Sequence, residues 1–241
     1  MKLNFKILFL GTGEAFGERA NTSILVDDEL LLDCGLTTLQ QLMKLKFDLH
    51  RILAVYISHF HADHYFGLPS LFYTCKEESR KNDLDIYTPK GGEDYIKSLL
   101  KLAYQKTIED FGFKINIHEI EDRVNDEYEF SFSPMKHSIP CMAISIEKNG
   151  KKVTCTGDGV PTKKTVDMAR NSDFLISEAY MEGFDTHSSI LGAAKFAKES
   201  NSKNLALVHI SRKENIEERL EEARKIFPSI IVPEDLSVII F

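Results

Sequence analysis

Seven residues, Ser58-His59-Phe60-His61-Ala62-Asp63-His64, constrain this chain more than any other stretch, because they place three histidines and an aspartate within six positions. The run before them, residues 51–57, is short, apolar and rich in β-branched side chains, the pattern of a buried strand. The ligand-type residues therefore stand where a strand ends, and the carboxyl edge of an open α/β sheet is where sites are built. Imidazole nitrogens and a carboxylate suit Zn²⁺ or a similar borderline cation. Eight histidines in 241 residues make three in six positions a poor fit to chance. His59, His61, Asp63 and His64 cannot easily all reach one ion from so tight a loop, so two ions sharing it is the better geometry.

The rest of the chain is expected to fold around that loop as one domain over residues 1–241, a length sufficient for one sizeable core. A formal charge of −7 argues against a general nucleic-acid-binding surface, since non-specific affinity comes from basic residues that neutralise phosphates. Lys148, Lys151, Lys152, Lys163 and Lys164 cluster in sequence around Asp158 and read first as a solvated basic face. Cys34, Cys75, Cys141 and Cys155 form no Cys-x-x-Cys pair and read as reduced and buried. The apolar run before Gly11 is too short for a signal core or a membrane span, so the expected location is cytoplasmic.

Read in order, residues 5–10 form a strand that stops at Gly11-Thr12-Gly13. The glycines at 11, 13 and 17 do not make a dinucleotide fingerprint, because residues 21–26 look like another strand where that motif needs a helix. A third strand, Leu30-Leu31-Leu32, ends at Asp33-Cys34-Gly35, and residues 36–46 have helical spacing. A helix over 67–79 is expected to leave the histidine loop with its N-terminal amides towards the site. Further strands are expected over 84–87, 113–120 and 128–132, a helix over 95–104, and a hairpin of 142–146 with 151–156 across Asn149-Gly150. A strand over 173–177 arrives at Glu178. Thr186-His187-Ser188-Ser189 caps a helix through Glu199, a strand over 204–208 delivers His209, and a helix over 216–227 precedes two closing strands.

His137, Asp158 and His209 each follow a predicted strand, as His59 does, which suggests four strand ends converging on one edge. With these residues in place the sequence resembles the metallo-β-lactamase superfamily, whose His-x-His-x-Asp-His loop matches His59, His61, Asp63 and His64, and whose later ligands match His137, Asp158 and His209. The resemblance implies an α/β fold, an αββα sandwich of two mixed β-sheets flanked by helices. It also implies two divalent ions, zinc first and Mn or Fe as alternatives. One is held by His59, His61 and His137, the other by Asp63, His64 and His209, with Asp158 bridging. Within the superfamily the chain looks most like ribonuclease Z and related phosphodiesterases. The stretches that carry this are Leu10-Gly11-Thr12-Gly13, Arg19 with Asn21-Thr22-Ser23, Asp33-Cys34-Gly35, residues 86–91, Ser177-Glu178-Ala179 and His187-Ser188-Ser189. That likeness adds His187 and Glu178 as catalytic residues and implies hydrolysis of a phosphodiester through a hydroxide shared by the ions, which Asp63 can orient or relieve of its proton. The expected partners are a small-molecule or RNA-end substrate and a second copy of the chain, with no membrane; hydrolysis of a thioester, lactone or sulfate ester on the same fold is the alternative.

Three departures bear on substrate. Only twenty residues separate His137 from Asp158, where ribonuclease Z enzymes insert an arm that grips transfer RNA. His209-Ile210-Ser211-Arg212-Lys213-Glu214 lacks the expected Arg-Tyr, and residues 16–21 keep part of the loop for the RNA 3′ end.

Overall fold

The computed structural model describes residues 4–120, 123–124 and 128–241. The chain divides into two compact units, one made of Asn4–Gly11, Arg19–Ile120 and Glu234–Phe241, the other built on Thr12–Glu18 and Glu121–Pro233. Among the described residues no helix is long and apolar enough to cross a membrane.

The first unit is a seven-stranded mixed sheet. Strands Lys6–Gly11, Ser23–Val26 and Leu30–Leu32 run antiparallel in sequence, and Val238–Ile240 closes the outer edge against the first of them. From Leu30–Leu32 onward the sheet turns parallel through Ala54–Tyr56, Leu84–Thr88 and Ile115–Glu119. Alternate residues such as Leu8, Leu10, Val55, Ile57, Leu84 and Ile86 share one core with Leu42, Leu68, Leu71, Phe72, Ile96 and Leu100 from helices Thr38–Lys44, Leu68–Glu77 and Gly92–Tyr104. Burial of each such side chain is worth ~1.5–3 kcal/mol, so this core outweighs the modest helix propensity of the segments that cover it.

The second unit is an eight-stranded sheet. Glu129–Lys136, Cys141–Lys148 and Lys151–Cys155 form an antiparallel meander, after which Phe174–Glu178, Leu205–Val208 and Ile230–Ile231 add in parallel. The hairpin turn Asn149-Gly150 has φ of 54° and 72°, the doubly left-handed geometry that this dipeptide accepts at low cost. Helices Ile190–Glu199 and Ile216–Ile226 and the short Lys163–Met168 pack Ala194, Ala197, Ala223 and Val166 on Leu175, Leu205 and Leu207.

Several sequence expectations shift. A four-residue helix, Ala62–Tyr65, which carries Asp63 and His64, comes before Leu68–Glu77, so the longer helix does not spring directly from the histidine loop. The cap of Ile190–Glu199 is Ser189, whose hydroxyl accepts from the Gly192 N–H, which leaves His187 upstream of the helix. The lysine cluster is not one solvated face. Lys148 is buried with its ammonium 4.5 Å from the Tyr128 ring, Lys152 pairs with Glu147 at 3.0 Å, and Lys163 and Lys164 are exposed. All four cysteines are free and buried, as expected.

Candidate active site

In the first unit, Leu30–Leu32 and Ala54–Tyr56 are parallel neighbours, so Asp33 and Ser58 emerge side by side at the same carboxyl edge. Asp33, at a left-handed φ of 58°, turns its buried carboxylate into the histidine loop. Oδ1 accepts from the Ser58 N–H at 2.7 Å, and Oδ2 accepts from the Ser58 hydroxyl and from His64 Nδ1, both at 2.8 Å. These bonds determine tautomers. A carboxylate only accepts, so His64 carries its proton on Nδ1 and keeps the Nε2 lone pair. The Ser58 hydroxyl has spent its hydrogen on Asp33, so its oxygen accepts from His59 Nδ1 at 2.9 Å, and His59 likewise keeps Nε2 for a ligand.

Glycine permits the close approach behind this arrangement. A Cβ on Gly35 would lie 2.0 Å from the Asp63 carbonyl oxygen, and one on Gly67 would lie 2.1 Å from the Gly35 carbonyl oxygen. The Asp33–Gly35 turn thus sits directly against the segment that carries Asp63 and His64, with the Cys34 N–H donating to the His64 carbonyl at 2.7 Å. Burial pushes the neighbouring Cys34 and Cys75 thiols up, Cys75 to about 11, so both stay protonated at neutral pH.

In the second unit, His137 follows Glu129–Lys136, Asp158 follows Lys151–Cys155, Glu178 ends Phe174–Glu178, and His209 follows Leu205–Val208. The strand directions bring all four to one carboxyl edge. Glu178 is fully buried, and here too a carboxylate organises the others. Oε2 accepts from the Gly159 and Ser188 N–H groups, both at 2.7 Å, and Oε1 lies 2.5 Å from His187 Nδ1 and 3.5 Å from His209 Nδ1. Burial first, then the Asp158 carboxylate, pushes Glu178 well above the usual carboxylate range, opposed by His209 and the two amides. His137 donates from Nδ1 to the Thr186 carbonyl at 2.8 Å, which again keeps the ring's lone pair on Nε2. The ligand-type atoms of Asp158, Glu178, His187 and His209 all lie within 4.8 Å of one another.

The donor set fits divalent ions. At metal–ligand distances of about 2.0–2.1 Å, two donors on a tetrahedral ion stand about 3.3–3.4 Å apart. His59 Nε2 and His61 Nδ1 are 3.1 Å apart, Asp63 Oδ2 and His64 Nε2 are 3.4 Å apart, and Asp158 Oδ2 and His209 Nε2 are 3.4 Å apart. Of the ligand residues expected from the sequence, His59, His61, His137, Asp158 and His209 stand in strand-end loops of their units, and Asp63 and His64 on the short helix Ala62–Tyr65. Sequence reasoning missed the anchoring role of Asp33 and Ser58; the available signal was Asp33 at a strand end beside the histidine strand. It also missed Glu14, whose buried carboxylate accepts from the Phe16 N–H at 2.9 Å and from Arg212 at 2.8 Å, three residues past His209.

A family model described as "Anti-Pycsar protein Apyc1" matches residues 5–226. The chain belongs to that family. It is also 30% identical to a ribonuclease Z of Archaeoglobus fulgidus, with 96% of each chain covered. That alignment runs to 293 positions against 241 residues here, so the relative carries stretches that this chain lacks. Among solved structures, the metallo-β-lactamase fold protein YhfI from Bacillus subtilis aligns with a TM-score of 0.84 at 22% identity, covering 99% of this chain and 100% of the other. The short form of human tRNase Z aligns at 0.81 and 25%, covering 97% and 98%. The fold is therefore the metallo-β-lactamase fold, two mixed β-sheets with flanking helices, and the protein is a ribonuclease Z-like, metal-dependent hydrolase.

Proposed function

We propose that the chain is a two-metal phosphodiesterase acting on small or cyclic phosphodiesters and on free RNA 3′ ends, and that residues 1–241 work as one metallo-β-lactamase-like domain. The ligand sets follow the resemblance: His59, His61 and His137 for one ion, Asp63, His64 and His209 for the other, and Asp158 for both. Two ions are supported by the donor pairs, since His59 with His61 and Asp63 with His64 make two separate tetrahedral edges within one loop. Nitrogen and carboxylate donors suit zinc first, with manganese or iron as alternatives. Bound ions would supply Lewis-acid charge to the phosphoryl oxygens and acidify a water.

This chain's own side chains then handle the protons. Asp63 accepts one from the attacking water as its oxygen bonds to phosphorus. His187, locked through Nδ1 to Glu178, presents Nε2, and in its protonated form gives that proton to the oxygen that leaves as the P–O bond breaks. The Glu178 carboxylate stabilises the imidazolium and fixes the ring's orientation. This dyad, 2.5 Å between His187 Nδ1 and Glu178 Oε1, is the observation that carries a hydrolytic reading over metal storage, because holding an ion requires no acid beside the ligands.

Small substrates fit the charge and the connections. The twenty residues between His137 and Asp158 are taken up almost entirely by the Cys141–Lys148 and Lys151–Cys155 hairpin, and with a net charge of −7 there is no long-range pull on a large polyanion. A second copy of the chain as partner is supported by the exposed Tyr95, Leu102 and Tyr104 on one helix, and light scattering would test it. The function itself is tested by metal analysis of protein purified without added metal, together with a panel of phosphodiesters, thioesters and lactones. Two ions per chain and turnover confined to phosphodiesters are expected. One ion at full activity, or preference for a thioester, would reject the reading. Asp158→Ala should cost more activity than His61→Ala, because only a shared ligand serves both ions.

A further inference from the structure

Strand Leu205–Val208 stops before it reaches His209, and a separate segment takes over the chain from there. The Val208 carbonyl still accepts from the Ala179 N–H at 2.9 Å, as part of the sheet. His209 then turns to a left-handed φ of 54°, a conformation that a non-glycine residue keeps only where its surroundings over-determine it. Its N–H donates to the Thr12 carbonyl at 2.8 Å, and Gly13 bridges Ile210 in parallel. Glu14 extends this grip with a side chain. Its buried carboxylate accepts from the Phe16 N–H through Oε2 at 2.9 Å, and from Arg212 through Oε1, at 2.8 Å from Nη1 and 3.4 Å from the backbone N–H. The Arg212 guanidinium also lies over the Phe16 ring at 5.7 Å. All of these residues belong to the second unit.

His209 is thus tied to Thr12–Glu14 at its own N–H and again three residues on, at Arg212. Burying a carboxylate is costly unless donors satisfy it, and this one is neither a ligand nor a proton carrier in the reading above. A ligand side chain has to be held within about 0.5 Å of its productive place, which a left-handed residue at a strand end does not secure by itself. We propose that Glu14 is a positioning residue for His209: through Arg212 it closes the 209–212 segment onto Thr12–Glu14 and so fixes where the imidazole stands. The proposal rests on the two-metal reading and adds to it a residue that is not itself a ligand. In Glu14→Gln the amide oxygen can serve the Phe16 N–H or Arg212, and the amide nitrogen then faces the other donor, so one end of the tie opens. Arg212→Ala opens the same tie from its half-exposed end.

The two variants separate positioning from a simple charge effect. Glu14→Gln removes a negative charge and Arg212→Ala a positive one, so a field acting on the cations would shift their affinity in opposite directions. Positioning predicts the same direction for both. The measurement is release of Zn²⁺ from the metal-loaded protein to a chromogenic chelator, with circular dichroism to confirm the fold. In each variant one of the two ions should bind about 10–100-fold more weakly while the other is unchanged, as expected when a ligand loses its orienting partner. Arg212→Lys, which keeps a cation for Glu14, should hold both ions as the wild type does. With Co²⁺ in place of Zn²⁺, the visible absorption of one equivalent should change and that of the other should not, since it reports ligand geometry. Opposite shifts in the two variants, equal loss at both ions, or a lowered Tm with both affinities intact would overturn the assignment. Wild-type protein that releases a single ion would defeat the two-metal reading, and the fall or constancy of that ion's affinity in both variants would still decide the role of Glu14.

Discussion

Replacing Asp33 with asparagine is expected to weaken metal binding even though Asp33 is no ligand. The side chain keeps its size, so the effect isolates the loss of one acceptor. The amide oxygen stays on the buried Ser58 N–H, because an orphaned backbone donor would cost about 1–3 kcal/mol. The amide nitrogen then faces the Ser58 hydroxyl and His64 Nδ1, where an oxygen accepted from both at 2.8 Å. Two donors now confront each other at His64. Relief requires the His64 proton to move to Nε2, the atom that stands 3.4 Å from Asp63 Oδ2, and this removes the lone pair a cation would use. The Ser58 hydroxyl, no longer donating to a carboxylate, turns towards His59 Nδ1 and pushes that ring to the wrong tautomer as well. Loss of such orienting partners typically weakens metal affinity by about 10–100-fold, or about 1.4–2.8 kcal/mol. Competition with a chromogenic chelator measures it, with circular dichroism to confirm the fold. Unchanged affinity in a folded Asp33→Asn protein would refute the tautomer argument.

His187→Ala should slow turnover by about 10²–10⁴-fold with metal content unchanged, and Glu178→Gln should slow it less; loss of metal in His187→Ala would place that residue among the ligands. At matched low salt, catalytic efficiency should be high on a small chromogenic diester and poor on precursor transfer RNA, and efficient trimming of the RNA by the isolated protein would reverse the substrate assignment. Burial alone would raise Glu14, but the Phe16 N–H and Arg212 outweigh it and hold its carboxyl below the usual range. Its contribution to stability is therefore present above about pH 4.3, the unfolded value, and is lost as pH falls through the lower folded value. The gap in Tm between wild type and Glu14→Gln should shrink in that acid window, and a gap constant from pH 7 to acid would contradict the assignment.

The strand-end placement of the candidate metal-binding residues was legible in the sequence because it is a local event: a β-branched run ends, and a histidine or acid follows at the next turn. That rule holds at His59, His137, Asp158 and His209, and the same pattern located Glu178 at its strand end. The Asn149-Gly150 hairpin was equally legible, since its left-handed φ values are a property of those two residues. What tertiary structure alone decided are relations between residues far apart in the chain. Asp33 reaches Ser58 across 25 residues and His64 across 31 only because two parallel strands place their ends side by side. Whether Lys148 stays in solvent or is buried against Tyr128 depends on a neighbouring strand that its own segment does not specify. Likewise, Thr186 to Ser189 read as one cap. The fold assigned the capping bond to Ser189 and turned His187 towards Glu178, because a buried carboxylate nine residues upstream offered a stronger acceptor than anything in the local chain.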